Sequence, residues 1–248
     1  MSTVLRSLEG GIVVLTIHRP EARNALDAQA YRALASSVAE ADADGSVRAV
    51  ILTGAGGHFT AGNDIRDFQA PLEPGEPAPI SFLRSLAAFS KPLLAAVEGV
   101  AVGIGTTLLL HCDLVFAGRG ARLRMPFVQL GLCPEGASTF LLPRAVGTRR
   151  AVEWLMLGRE ITAAEAAEAG LVTAAVEDGG ALARAVETAR QLVALPAGSL
   201  RATKALLRRP GREGVAAAFE AETEEFIARR DSPEAQAAFA AFLARRGR

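Results

Sequence analysis

Residues 95–117 read AAVEGVAVGIGTTLLLHCDLVFA, and the order of residue types within them decides the fold class. The run 93–97 (LLAAV) is continuously apolar and of strand length, and Gly103-Ile104-Gly105 beyond it supplies a tight turn. Leu108, Leu109 and Leu110 follow without polar relief, so the turn is predicted to open a buried helix over 103–111. A short strand over 113–117 completes the unit. Strand, glycine turn, helix, strand is the grammar of an α/β protein.

The same alternation extends outward for most of the chain. GIVVLTIH (11–18) is β-branched and bounded by Gly-Gly and Arg-Pro, which predicts a strand. Ala30, Leu34, Val38 and Ala41 are spaced by three and four, giving a helix over 27–44 with Asp27 as its cap. VRAVILT (47–53) is a further strand, followed by GAGGHFTAG (54–62). The prolines and glycine of residues 70–79 predict a loop or lid, and a short helix then runs to Phe89. A short strand is expected at 122–125. From Ala137 onward the pattern is helical, apart from one strand over 171–176. Thr162 and Glu165 form a capping box, and Ser232-Pro233 starts the last helix with proline at its first position. Phe219, Phe226, Phe239 and Phe242 give the final helices a long apolar face, which packs either on the protein's own core or on an oligomer partner.

With 248 residues, half of them hydrophobic, the chain is long enough to bury a core without staples. Its 27 basic and 27 acidic residues balance, so no cationic surface is implied and nucleic acid is not an expected partner. Cys112 and Cys133 lie in apolar segments without CxxC spacing, as reduced core thiols do. No leader-like start and no apolar run of transmembrane length is evident, so no membrane association and a cytoplasmic location are the expectations.

Several chemistries fail on their own requirements. Gly103-Ile-Gly105-Thr-Thr-Leu108 has leucine where a dinucleotide fingerprint needs its third glycine. Residues 57–62 have phosphate-loop spacing, but Asn63 and Asp64 follow instead of Lys and Ser or Thr. His18, His58 and His111 are far apart and no carboxylate cluster has ligand spacing, so no metal is expected. A serine nucleophile lacks its GxSxG elbow. Asp113 is expected to cap backbone amides. What remains is a pair of glycine turns, 59–64 and 102–105, each after a predicted strand. Their outward N–H groups would bind an oxyanion if the turns converged, and the second turn adds the positive end of a helix.

Four ordered motifs, HRPEARNALD, HFTAGNDI, AAVEGVAVGIGTTLLLHCDLVFA and LGREITAAEAAEAGLV, resemble those of the crotonase, or enoyl-CoA hydratase/isomerase, superfamily over nearly the whole chain. The resemblance implies an α/β crotonase (ClpP-like) spiral of ββα turns over residues 1–195. It also implies a C-terminal helical trimerisation region over 196–248, and a homotrimer or dimer of trimers. It implies an acyl-CoA substrate used in fatty-acid or related acyl-CoA catabolism. CoA then arrives as part of the substrate, without a separate cofactor. By position, the backbone amides of Ala61 and Ile104 would hold the thioester oxygen. Arg23, Ala25 and the turn Ala61, Gly62, Asn63, Asp64, Ile65 would lie around CoA, with Gly105 and Phe127 also at the substrate. Asp64 and Asp67 are expected to be structural or CoA-facing, and His58 a solvated loop residue.

Members differ in where acids and bases stand. Where enoyl-CoA hydratases carry two glutamates, this chain has Thr107 and Phe127. The segment MPFVQLGLCPEGAS instead resembles 3,2-enoyl-CoA isomerases of the peroxisomal type, whose Pro-Glu-Gly glutamate moves a proton from C2 to C4. Glu135 stands at that place. The apolar neighbours Phe127, Val128, Leu130 and Leu132 are expected to raise its pKa and strengthen it as a base. The alternatives are an enoyl-CoA hydratase using Glu135 or Asp64, a non-catalytic acyl-CoA binder, and a purely structural Glu135 that satisfies helix-start amides.

Overall fold

The computed structural model describes residues 3–69 and 75–246. In chain order it contains β1 (Val4–Glu9), β2 (Ile12–Ile17), α1 (Ala28–Ala43), β3 (Ala49–Gly54), α2 (Ala78–Ala88), β4 (Leu93–Val97), β5 (Val100–Val102) and α3 (Ile104–Thr107). Then come β6 (Leu114–Gly118), β7 (Arg122–Arg124), α4 (Ser138–Val146), α5 (Thr148–Val152), β8 (Glu160–Thr162), α6 (Ala163–Ala169) and β9 (Ala174–Val176). The chain finishes on α7 (Ala181–Val193), α8 (Ala197–Arg208), α9 (Arg212–Arg230) and α10 (Pro233–Arg246). Six strands form one sheet in the order β1-β2-β3-β4-β6-β9, and β5-β7-β8 form a smaller one.

Parallel pairing from β2 through β9 requires both faces of the large sheet to be covered, and the strands alternate accordingly. Val50 and Leu52 of β3 and Leu93, Ala95 and Val97 of β4 face the main core, which also holds α1 and α2. Ala49, Ile51, Leu94 and Ala96 face the other way, onto Ala181, Ala185 and Ala189 of α7. Alanine at every fourth position lets that helix lie close to the sheet.

The expected strands, helix α1 with Asp27 accepting from the Ala30 amide, and the Thr162–Glu165 capping box are all present. Four expectations need correction. β1 was not anticipated: it is an exposed antiparallel edge strand, joined to β2 through Gly10 and Gly11, both at positive φ. The strand expected over 171–176 is confined to β9, and β8 is an additional short strand. The helix expected over 103–111 is one α turn, α3, continued by a 3-10 turn, Leu108–His111. Of the loop expected over 70–79, residues 70–74 lie outside the described residues, whereas Ala78 and Pro79 already belong to α2.

The aromatic face of the C-terminal helices finds its partner within the chain. Phe219 and Phe239 are buried in the main core and Phe226 packs against it. α9 lies on α4, and α10 lies on the 3-10 turn Ile65–Gln69. No helix among the described residues is long and apolar enough to cross a membrane.

Candidate active site

The two glycine turns meet. Thr60 sits between β5 residues, its N–H donating to the Val100 carbonyl and its own carbonyl accepting from the Val102 N–H. A Cβ on Gly62 (φ +85°) would stand 2.4 Å from the Val102 oxygen, and one on Gly105 would stand 2.5 Å from Thr60 Cγ2. Both positions therefore need glycine for close approach. Gly103 has φ 56° and ψ −120°, a combination that side chains disfavour, and it turns the chain into α3.

Hydrogen bonding identifies which amides in these turns are available. The Ala61 N–H donates to the Arg23 carbonyl at 2.9 Å, so the expectation that it holds an oxyanion is corrected. The Gly62 N–H goes to Thr60 Oγ1 at 3.0 Å. Leu26 pairs on either side of Asn63, donating to the Gly62 carbonyl and accepting from the Asp64 N–H, both at 2.8 Å. Asn63's own N–H, which faces away from Leu26, has no acceptor among the described residues. In the second turn, Gly103 donates to Arg124 and Thr106 to Gly103, whereas the first α3 amides, of Ile104 and Gly105, have none. The open amides across the contact are thus those of Asn63, Ile104 and Gly105, and the expected Ile104 donor is among them. Because α3 is a single α turn, these donors act as individual N–H groups rather than through a helix dipole.

Glu135 is 2% exposed and lines a cavity of about 420 Å³, together with Tyr31, Asn63, Ile80, Phe226 and Arg230. Thr107, one helical turn after Ile104, donates its hydroxyl to Glu135 Oε1 at 2.6 Å. Oε2 is buried with no hydrogen-bond partner among the described residues. Burial raises the carboxyl pKa to about 8; the Thr107 hydrogen bond opposes the shift and the nearby Glu222 carboxylate adds to it. The expected rise is present, but its source differs in part: Phe127 and Leu132 are buried as expected, whereas Val128 is exposed.

Side chains from distant elements fix the turn that carries Glu135. Gly136 and Ala137 both have positive φ, which for alanine is strained. His111, buried and held neutral with a pKa lowered to about 4, donates from Nε2 to the Gly136 carbonyl at 2.9 Å. Glu222 of α9 accepts from the Thr139 N–H at 2.8 Å. Tyr31, buried and held protonated well above its usual pKa, donates to Asn63 Oδ1 at 2.5 Å.

A family model described as enoyl-CoA hydratase/isomerase matches residues 7–247. The chain belongs to the enoyl-CoA hydratase/isomerase family. It is similar to 1,2-epoxyphenylacetyl-CoA isomerase of Escherichia coli, at 36% identity over 79% of this chain and 78% of that one. It is also similar to enoyl-CoA delta isomerase 2 of Rattus norvegicus, at 33% identity over 98% of this chain and 64% of that longer protein. Among solved structures, an enoyl-CoA hydratase/isomerase from Pseudoalteromonas atlantica T6c superposes with a TM-score of 0.94 at 41% identity, covering 98% of this chain and 97% of that one. Relatives of comparable identity are named as hydratases as well as isomerases. Membership makes the protein an acyl-CoA-processing enzyme of the crotonase superfamily.

Within this enoyl-CoA hydratase/isomerase fold the remaining expected site residues divide. Arg23 is exposed with φ 50°, Ala25 is buried beside it, and Ile65 packs on the core. Asp64 is ion-paired, with Arg66 at 2.6 Å and Arg19 at 3.6 Å, and the Arg66 contact holds its carboxyl below the usual range. Asp67 caps α1 through the Ala28 N–H. Asp113 accepts from the Leu93 N–H and pairs with Lys204 and Arg208. Phe127 is in the core near Gly103 and does not line the cavity. Asn24 was not singled out: fully buried, it donates to the Ala55 and His58 carbonyls and so shapes the first turn. Among the described residues no three His, Cys, Asp or Glu side chains are grouped to hold a metal ion.

Proposed function

We propose that the protein is an enoyl-CoA isomerase that moves the double bond of a 3-enoyl-CoA to the 2-position. The observation that carries this reading is Thr107 against Glu135, a hydroxyl where a hydratase mechanism needs a second carboxylate. The other acidic side chains of the cavity wall are engaged: Asp67 caps α1 and Glu76 pairs with Arg84 at 2.7 Å. Hydration requires a water to be deprotonated while a proton is delivered to carbon, and that takes two groups. A double-bond shift needs one.

The C2–H bond breaks, its proton passes to Glu135 Oε2, and the electron pair delocalises onto the thioester oxygen as a dienolate. The Asn63 and Ile104 amides stabilise that oxygen; one such donor contributes roughly 10²- to 10³-fold in rate. The Oε2–H bond then breaks as C4–H forms, which leaves the carboxylate as it began. Arg23, Ala25 and residues 61–65 are the proposed CoA contacts, with a homotrimer or dimer of trimers as the assembly. The test is incubation with 3-hexenoyl-CoA. The wild type is expected to release 2-hexenoyl-CoA and Glu135→Gln to lose this activity; undiminished turnover by the variant would overturn the assignment.

A further inference from the structure

We infer that Thr107 is a positioning residue: its hydroxyl anchors Glu135 Oε1, so that Oε2 alone takes the proton at C2 and returns it at C4. The inference rests on the reading of Glu135 as the base. Thr107 is fully buried, and its Oγ1 makes one hydrogen bond, to Oε1 at 2.6 Å. A carboxylate held at one oxygen by a β-branched residue, whose χ1 is stiff, cannot rotate to exchange its oxygens. Glu135 lines the cavity, and its Oε2 has no hydrogen-bond partner among the described residues. Thr107 is tied to the oxyanion side as well, because its N–H donates to the Gly103 carbonyl at 3.1 Å. The residue therefore fixes the distance between the oxyanion amides and the base.

The adjacent Thr106 shows what a purely structural threonine does here. Its hydroxyl donates to the Ala101 carbonyl at 2.6 Å and accepts from the Arg124 N–H at 3.2 Å, stitching α3 to β5 and β7. Thr107's hydroxyl makes no such bond to the backbone, so valine would fill its space without breaking the fold. Among the described residues, the other titratable and charged groups around Glu135 are Tyr31 from α1, Glu222 and Arg230 from α9, neutral His111 behind Gly136, and Arg32, Asp67 and Glu76 on the cavity wall. Among the described residues, the side-chain hydrogen bond of Glu135 is the one from Thr107.

The experiment compares wild type, Thr107→Val, Thr107→Ser and Glu135→Gln. Glu135 is titrated by ¹³C NMR of glutamate-labelled, ligand-free protein, with Glu135→Gln identifying its signal, and isomerisation of 3-hexenoyl-CoA is followed from pH 6 to 10. Removing a donor to the charged form disfavours that form, so Thr107→Val should raise the titration midpoint by about 1 pH unit. Its kcat on the alkaline plateau should fall about 10- to 100-fold, with KM within about threefold, Thr107→Ser restoring the rate, and thermal stability lowered mainly at alkaline pH, where the carboxylate has lost its donor. A valine variant whose midpoint and plateau kcat both match wild type overturns the inference. So does one whose midpoint moves while the plateau is unchanged, because Thr107 would then tune the carboxyl without positioning it. If Glu135→Gln retains full isomerisation while the valine midpoint still moves, the reading of Glu135 as the base fails and the hydrogen bond stands.

Discussion

The two walls of the site are built from different materials. The proposed oxyanion wall is backbone: Asn63 and Ile104 have open N–H groups, and Gly62, Gly103 and Gly105 allow the turns to touch. The base wall is side chain: Glu135 is held by Thr107, with its turn braced by His111 and Glu222 from separate elements. A backbone wall can be kept while the side chains around it change. The side-chain wall can be rebuilt one residue at a time, and the choice of reaction lies there.

Substitutions should therefore separate the walls. On the base wall, Glu135→Asp withdraws the carboxyl by one methylene and loses Thr107; kcat for 3-hexenoyl-CoA is expected to fall about 10²- to 10³-fold with little change in KM. On the oxyanion wall, Gly105→Ala should lower kcat about 10- to 100-fold, because the new methyl meets Thr60 Cγ2 at 2.5 Å and pushes the turns apart. Adding Thr60→Ser removes that methyl while keeping the hydroxyl, so the double variant should recover most of the rate. Failure of this rescue would show that the glycine serves something other than close approach.

The walls also differ in their response to pH. The amides do not titrate, whereas Glu135 as the proposed base must lose its proton to act, and burial raises its carboxyl pKa to about 8. kcat/KM should rise about tenfold per pH unit below that value and level off above it. The same shift has a stability consequence. Because the folded-state pKa lies above that of the unfolded chain, ionisation of Glu135 disfavours folding increasingly from about pH 4.5 to about 8, with no such cost below. Glu135→Gln should therefore be more stable than wild type by about 1–3 kcal/mol at pH 8, after allowing for the buried amide it introduces. Thermal melts should show the two proteins converging near pH 4.

Legibility in the sequence follows the same division. β2, β4 and α1 were readable because burial on two faces or one leaves unbroken or periodic apolar patterns. β1, β5 and β8 were not: β1 is an exposed edge strand, and β5 and β8 have three residues each, too few to show a period. The glycine turns were placed correctly, yet the choice between the Ala61 and Asn63 amides depended on acceptors at Arg23 and Leu26, contributed by a distant loop. Thr107 was legible only as a missing glutamate; that its hydroxyl meets Glu135 follows from how the turn at 135–139 folds back on α3. Glu222, in the acidic run AETEEF, resembles a solvated helix face and is instead buried against that turn.

The most direct test of a one-carboxylate site is to measure isomerisation of 3-hexenoyl-CoA and hydration of crotonyl-CoA with the same preparation at pH 8. With Thr107 in place of a second acid, kcat/KM for isomerisation should exceed that for hydration by about 10²-fold or more. Hydration as fast as isomerisation would contradict the account.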